Sequence, residues 1–463
     1  MFEEVLNRDN VLIYLRQMRE HLEGEGGDET RRYVVAPGEG ELDPDDRASL
    51  LQALALSEMH EQNMPSGQAA QRGLLSSILD KRAFISRDPV ISLIQSRLEE
   101  CLIKHHPTLG DVAGAATRGG EASAAAEGAD PVGAVKLEET RRYGPFEPCD
   151  IGWVEAGVAM GLRALRGKHA FNPNPASTVA LAPRSRLLLV ADWATGLPRA
   201  CAVAAQMRAI LEEGFSSGIE QHVVHLGDVY YAGQEREVRT RMLDPWPVHA
   251  GEEGKASSWA LPGNHDMYSG GGPYFGTLLD DPRFQRQGRA SFFSLANDDW
   301  LIAGLDTAWD DHALKDPQAD WLGRLLDEAA DGGKKAILLS HHQLFSARDS
   351  IPDDLERKLG PVLDRHPAFA WFWGHEHRCV AYKPDPRAKY ARCIGNGGVP
   401  AYIDAGPPAR PDIVEWEFEK SIRFEDEEWL RFAFAVLDFD GGSLKVSYID
   451  EGGGPPFRSE EAS

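Results

Sequence analysis

Positive charge is scarce in this 463-residue chain: 49 Lys and Arg stand against 73 Asp and Glu, a formal charge of −24, and the basic residues form no run. That deficit disfavours non-specific binding to nucleic acid or to an anionic membrane surface, so no nucleic-acid partner is expected. A phosphorylated ligand would have to be met by metal or by local cations. Long apolar runs are missing too, since no stretch approaches the ~18 residues of a membrane span. The opening MFEEVLNRDN is acidic where a signal peptide needs positive charge, which gives a cytoplasmic expectation. Cysteine is sparse: Cys101, Cys149, Cys201, Cys379 and Cys393 are odd in number, widely spaced and without C-x-x-C. Neither a disulfide framework nor a zinc knuckle is indicated, and they read as reduced, mostly buried thiols. No repeat of fixed period is present.

What is present falls into segments. Residues 1–106 show helical spacing (VLIYLRQMREHL, SLLQALALSEMHEQN, VISLIQSRLEECLIKHH) and read as a helical module of unknown role, open to a protein partner. Residues 107–135 are rich in Ala and Gly and poor in aromatics, the composition of a flexible linker. A helical lead-in occupies 136–180, with WVEAGVAMGLRALRG as its helix. From 181 to 455 apolar runs of strand length alternate with amphipathic helices, ending in the hairpin RFAFAVLDF, DGG, SLKVSYID. That alternation predicts a layered α/β domain. Residues 456–463 read as a disordered tail.

Within that domain, five apolar runs stop at polar clusters. LLLVADWATG leads into Asp192; the others end at GDVYY (Asp228, Tyr231), GNHD (Asn264, His265, Asp266), SHH (His341, His342) and GHEH (His375, His377). Singly, each has a plain explanation; Asp192, for example, could cap the helix that follows. Together, at the carboxyl ends of strands, they form a set of oxygen and imidazole ligands without thiolates, suited to two hard or borderline cations bridged by a carboxylate. His222 and His225 lie inside a strand and read as buried, hydrogen-bonded histidines.

The order of these clusters resembles the calcineurin-like metallophosphoesterase superfamily: Asp, then GD, then GNH with Asp or Glu, then His, then GHxH, over about residues 186–451. The resemblance implies a four-layer α/β/β/α sandwich of two mixed sheets. Most members read Asp-x-His at the first motif, where this chain reads Asp192-Trp193-Ala194. The purple acid phosphatase branch lacks that His as well and carries GDxxY, whose tyrosine oxygen replaces it; GDVYY has Tyr231 at that spacing, with Tyr230 as a packing residue. The other reading of Tyr231 is an aromatic packed under a loop.

Carried over, the resemblance implies a first metal on Asp192, Asp228, Tyr231 and His377, and a second on Asp228, Asn264, His341 and His375, with Asp228 bridging. Iron is expected at the Tyr231 site, and a divalent ion (Zn, Mn or Fe) at the other. His342 competes with His341 for the ligand role, because the family's Pro is replaced by Gln343. His265 and Asp266 are the expected catalytic residues: His265 protonates the leaving group, while Asp266 either orients it or caps the next segment. The glycine-rich DMYSGGGPYFG is the candidate substrate-shaping loop. The implied reaction is in-line hydrolysis of a small phosphorylated substrate, a phosphomonoester first, by hydroxide that the ions hold. A cyclic-nucleotide or other phosphodiesterase is the alternative, and a regulatory protein using this domain as a scaffold is the reading from a different class.

Overall fold

The computed structural model describes residues 167–462 except 350, 402–407 and 425–426, together with scattered positions before 167. The chain divides into two compact units, residues 1–167 and 168–463. The expected helical module, the linker and the helix of the lead-in fall almost wholly outside the described residues. The end of the lead-in, from 170 to 178, is irregular chain and leads into a two-residue strand, β1 (Val179–Ala180).

Apolar runs of strand length then take over. β2 (Arg184–Val190) buries Leu187, Leu188, Leu189 and Val190 completely, as a strand covered on both faces must. Helix α1 (Pro198–Ser217) opens with Pro at its first turn, where the missing N–H costs nothing, and ends at Gly218 with φ 68°, a left-handed cap. β3 (Glu220–His225), β4 (Ser257–Ala260), the short helix α2 (Asn264–Tyr268), β5 (Phe293–Ala296) and β6 (Trp300–Leu305) follow. Next come α3 (Gln318–Asp331), β7 (Lys335–Ser340), α4 (Asp353–Arg365) and β8 (Ala368–Trp373). β9 (Cys379–Tyr382), β10 (Ala388–Ile394) and β11 (Val414–Glu417) extend one sheet. A small hairpin, β12 (Ser421–Phe424) and β13 (Glu427–Leu430), precedes β14 (Ala433–Asp440), β15 (Ser443–Asp450) and β16 (Arg458–Ala462).

Two mixed sheets result. One runs β11-β9-β10-β8-β7-β6-β5-β1 and the other β16-β15-β14-β2-β3-β4. Leu187, Leu189, Val224 and Trp259 of the second sheet share a core with Phe293, Ile302, Ile337 and Phe372 of the first, so the sheets face each other. The outer face of the six-stranded sheet is covered by Val203, Met207 and Leu211 of α1. Leu322 and Leu326 of α3, with Leu355 and Leu359 of α4, cover the outer face of the eight-stranded sheet. This is the expected α/β/β/α sandwich.

The expected disordered tail is corrected in part. Arg458–Ala462 pairs antiparallel with β15 as an edge strand, because Glu460 meets Arg392 at 3.2 Å and the Trp416 indole at 2.8 Å, and Ala462 is buried. Charged composition alone suggested solvent; the partners that hold it come from strands about 45 and 70 residues earlier.

Candidate metal centre

Strand register brings the polar clusters together. β2, β3 and β4 run parallel with Val190, His225 and Ala260 side by side. β6, β7 and β8 also run parallel, pairing Leu305 with Ser340 and Leu339 with Phe372. The residues just beyond these strands therefore meet at one edge, the position at which α/β sheets present ligands. The turns that carry them are tight: Asp192, Asp228, His375 and His377 have φ of 52°, 76°, 72° and 51°. Non-glycine residues seldom adopt that left-handed conformation, and its concentration here marks a functional edge. Gly227, at φ 112°, leaves room for an imidazole; a Cβ there would stand 2.6 Å from Nδ1 of His341.

The first group gathers around one phenol. The Tyr230 hydroxyl is 2.9 Å from Asp192 Oδ1, 3.1 Å from Asp228 Oδ2 and 2.9 Å from His377 Nε2. One O–H proton serves only one of these acceptors, and a cation is the species that would satisfy the rest. The expectation that Tyr231 supplies the phenol is corrected: the tyrosine oxygen among these carboxylates is that of Tyr230, which had been read as packing. The Tyr231 ring faces the Arg241 guanidinium at 5.3 Å, and its backbone amide donates to Glu237. Adjacent tyrosines are chemically alike, and only the path of the turn decides which one points inward. Asp192 does not cap α1, whose N-cap is Leu197. Its Oδ2 accepts the His375 backbone N–H at 2.7 Å instead.

The second group centres on His341. Its Nδ1–H donates to the Leu226 carbonyl at 3.0 Å, which leaves the Nε2 lone pair facing Asn264 Oδ1 at 3.1 Å and Asp228 Oδ2 at 3.3 Å. Acceptors facing acceptors need a proton or a metal ion between them. Asn264 is held in that orientation by its amide N–H, which donates to Tyr268 at 2.9 Å. The His375 ring lies 5.3 Å from that of His341. One ligand atom each from Asp192, Asp228 and His341 lies within 4.8 Å of the other two. The donor set fits two cations sharing Asp228.

Protonation follows from burial and crowding. Burial raises Asp192 to about 7, opposed by the charge of His341. Burial also works to raise Asp228, but His341 and His265 outweigh it and hold this carboxyl well below the ordinary range. For His341 burial works downward, yet the charges of Asp228 and Asp192 carry it to about 9. Burial drives His377 to about 4 and His375 well below 6.5, which leaves their lone pairs free. Tyr230 is pushed well above 10 by burial and by its two carboxylate neighbours.

His265 sits over this edge. Its backbone N–H donates to Asp228 Oδ1 at 2.9 Å, and its Nδ1–H donates to the Tyr231 carbonyl at 2.7 Å. Nε2 stands 3.8 Å from Asp228 Oδ2, and the ring is flanked by Tyr230 at 4.4 Å and Tyr268 at 4.6 Å. Tyr268 is the part of DMYSGGGPYFG that reaches the site; further along, Tyr274 and Phe275 are buried in the core. The catalytic role expected of Asp266 is corrected, because its Oδ2 accepts the backbone N–H groups of Asp228 (2.9 Å) and Gly263 (2.8 Å) and so pins two motif turns together. The partner that orients His265 is the Tyr231 carbonyl. His222 accepts the Trp259 indole N–H as expected, whereas both ring nitrogens of His225 lack hydrogen-bond partners and the ring sits edge-on to Trp193 and Trp246.

Three further residues were not foreseen. β6 stops at Leu305 and is followed by Asp306 and Thr307, and the loop after them carries His312 to within ring contact of His342 (4.0 Å between centroids). The signal was present in GLDTAWDDH, another apolar run stopping at a carboxylate.

Residues 185–379 match the family model of the calcineurin-like phosphoesterases. No curated protein sequence matches the chain significantly. Among solved structures, the chain is similar to a purple acid phosphatase from yellow lupin (Lupinus luteus) seeds at 16% identity and a TM-score of 0.41, over 62% of this chain and 55% of that one. It therefore spans little more than half of the lupin protein. GAP50, the anchor in the inner membrane complex of Plasmodium, aligns at 11% identity and TM-score 0.44, over 60% of this chain and 89% of its own. A dimetal phosphatase from Danio rerio aligns at 15% and 0.39, over 61% and 99%. Likenesses of that size bear on no functional argument. No helix among the described residues is long and apolar enough to cross a membrane.

Proposed function

The chain belongs, through residues 185–379, to the calcineurin-like phosphoesterases, and from that premise we propose that it hydrolyses a small phosphomonoester at a dinuclear metal centre. The observation that carries this reading is the position of Asp228, whose Oδ2 is shared between the Tyr230 hydroxyl and His341 Nε2. Asp192, Asp228, Tyr230 and His377 would hold one ion. Asp228, Asn264, His341 and His375 would hold the other. A buried phenol beside two carboxylates suits a ferric ion at the first position, and the neutral amide and imidazoles suit a divalent ion (Zn, Mn or Fe) at the second. When bound, such ions supply Lewis-acid polarisation of the phosphoryl group and an acidified water.

The chain's own residues do the rest. Asn264 binds without adding negative charge, which lowers the repulsion met by an incoming phosphate. His265, fixed through Nδ1 by the Tyr231 carbonyl, presents Nε2 toward the edge and gives its proton to the leaving oxygen. The backbone amides of His265 and His375 hold Asp228 and Asp192 from behind, so the carboxylates need not reorganise as charge develops. A phenol in the first group leans the reading toward a monoester, although Tyr230 supplies it and not the residue at the GDxxY spacing.

The test is hydrolysis by the full-length, metal-loaded chain of p-nitrophenyl phosphate, bis(p-nitrophenyl) phosphate and cyclic nucleotides, with metal content measured on the same sample. The monoester should be cleaved fastest. Faster cleavage of a diester overturns the substrate class, and a protein with two ions that cleaves none of them overturns the enzyme reading in favour of a scaffold.

A further inference from the structure

Beside the carboxylate-rich pair lies a group made of imidazoles alone. His312 comes from the loop after β6, His342 from the end of β7 and His375 from the turn after β8. Ring centroids are 4.0 Å apart for His312 and His342, 4.6 Å for His342 and His375, and 5.6 Å for His312 and His375. One nitrogen of each lies within 4.8 Å of the other two. The proposed phosphoesterase reaction assigns no role to His312 or His342.

His342 is the informative member. It is fully buried, and its Nδ1 and backbone N–H both meet Thr307 Oγ1, at 2.9 and 3.0 Å. Its Nε2, also buried, has no hydrogen-bond partner. If Nδ1–H donates to Thr307, Nε2 is a bare lone pair sealed away from water; in the other tautomer a buried N–H goes without an acceptor. Either arrangement is costly with nothing further bound. A cation on Nε2 removes the cost, and a hydroxyl on Nδ1 is the outer-shell partner that fixes a metal-binding imidazole in its tautomer. His312 has φ 60°, the left-handed backbone shared with four of the residues assigned to the dinuclear pair.

We propose that His312, His342 and His375 form a cation site for a borderline divalent ion such as Zn²⁺, distinct from the position held by Asp192 and Tyr230. Three neutral nitrogens without a carboxylate select zinc or cobalt over magnesium, calcium or manganese and leave a fourth position open. Zinc at 2.0–2.1 Å from each nitrogen sets them about 3.4 Å apart, so from separations of at most 4.8 Å the nitrogens close in by no more than about 1.4 Å on binding. His375 is also assigned to the second ion above; each ring nitrogen holds one ion, so both sites fill together only if His375 gives up its N–H proton and bridges through both nitrogens, and the inference rests on that reading only there.

The experiment strips the full-length chain with chelator, reloads it with zinc alone, and measures ions per chain by elemental analysis in wild type, His312→Ala, His312→Gln and Asp228→Asn. A cobalt-loaded set is read by visible absorption, where a low-symmetry N₃ site gives an intense d–d band. The expected result is that both His312 variants hold one ion fewer than wild type and lose that band, while Asp228→Asn keeps it. If the His312 variants, folded by circular dichroism, bind as many ions as wild type with the same spectrum, the imidazole site is overturned and the dinuclear reading stands. If His312→Ala loses an ion but Asp228→Asn loses none, the imidazole site stands and the dinuclear reading falls.

Discussion

The hydroxyl of Tyr230 stands 2.9 Å from Oδ1 of Asp192, on residues 38 positions apart in sequence. Ala194, two residues after Asp192, has no side chain long enough to act as a ligand. Tyr230→Phe keeps the ring and deletes the oxygen, and it should weaken the first ion by about tenfold or more. With iron loaded, phenolate-to-metal charge transfer should colour the wild type and vanish in Tyr230→Phe. Tyr231→Phe should keep both colour and metal. The reverse pattern, read by absorption and metal analysis, would return the ligand role to Tyr231.

Asp228→Asn removes charge from both ions at once. Hydrolysis should fall to background, and bound metal at the pair should fall with it. A variant with full metal and full rate would sink the bridging assignment.

His265→Ala should leave metal content unchanged and slow turnover, by about 100-fold or more for a poorly leaving alkoxide and much less for p-nitrophenolate, which needs little protonation. Equal losses on both substrates would make His265 a phosphate-binding group instead of an acid.

Metal binding should release protons. In the metal-free protein His341 is raised to about 9 and Asp192 to about 7, so at pH below these values each holds a proton that an ion must displace. Affinity should therefore climb with pH, steeply below about 7 and less so up to about 9, above which only the Tyr230 phenol, pushed well above its ordinary 10, still has a proton to lose. The same shift has a stability consequence. A raised His341 stabilises the metal-free fold fully below its ordinary 6.5, and that contribution disappears as pH rises through about 9. Calorimetry in two buffers of different ionisation enthalpy reads the proton release, and thermal melts across this window read the stability.

Glu237 holds the GDVYY turn from beneath. Its carboxylate, 1% exposed, accepts the backbone N–H groups of Tyr231, Ala232 (3.0 Å) and Gln234 (3.0 Å) and meets Arg241 at 2.9 Å. Glu237→Ala strands these donors and the guanidinium, and should cost about 3 kcal/mol or more, seen as a lowered Tm. Glu237→Gln keeps an acceptor and should fall between.

Local pattern was enough for much of this protein. Runs such as LLLV and AILL are apolar without interruption, so they had to be strands covered on both faces, and the residues that end them had to lie at a sheet edge. From this followed the layered α/β architecture and the gathering of the clusters at Asp192, GDVYY, GNHD, SHH and GHEH, while the choice of ligands within them was what the family resemblance implied. Strands β9, β10 and β11 were not legible because CVAY, AKYARCI and VEWE are short and mixed, and their strand form comes from pairing with β8 and with one another. β16 was hidden for the same reason, its Glu460 reading as solvent until Arg392 and Trp416 are placed against it. Which of Tyr230 and Tyr231 turns inward, whether Asp266 meets an imidazole or two backbone amides, and whether His312 reaches His342 across 30 residues are matters of side-chain direction over distances the sequence does not encode locally. The sequence determined which chemistry gathers at the strand ends; register and turn path decided which atoms touch, because contacts between distant segments are set by packing of the whole sandwich.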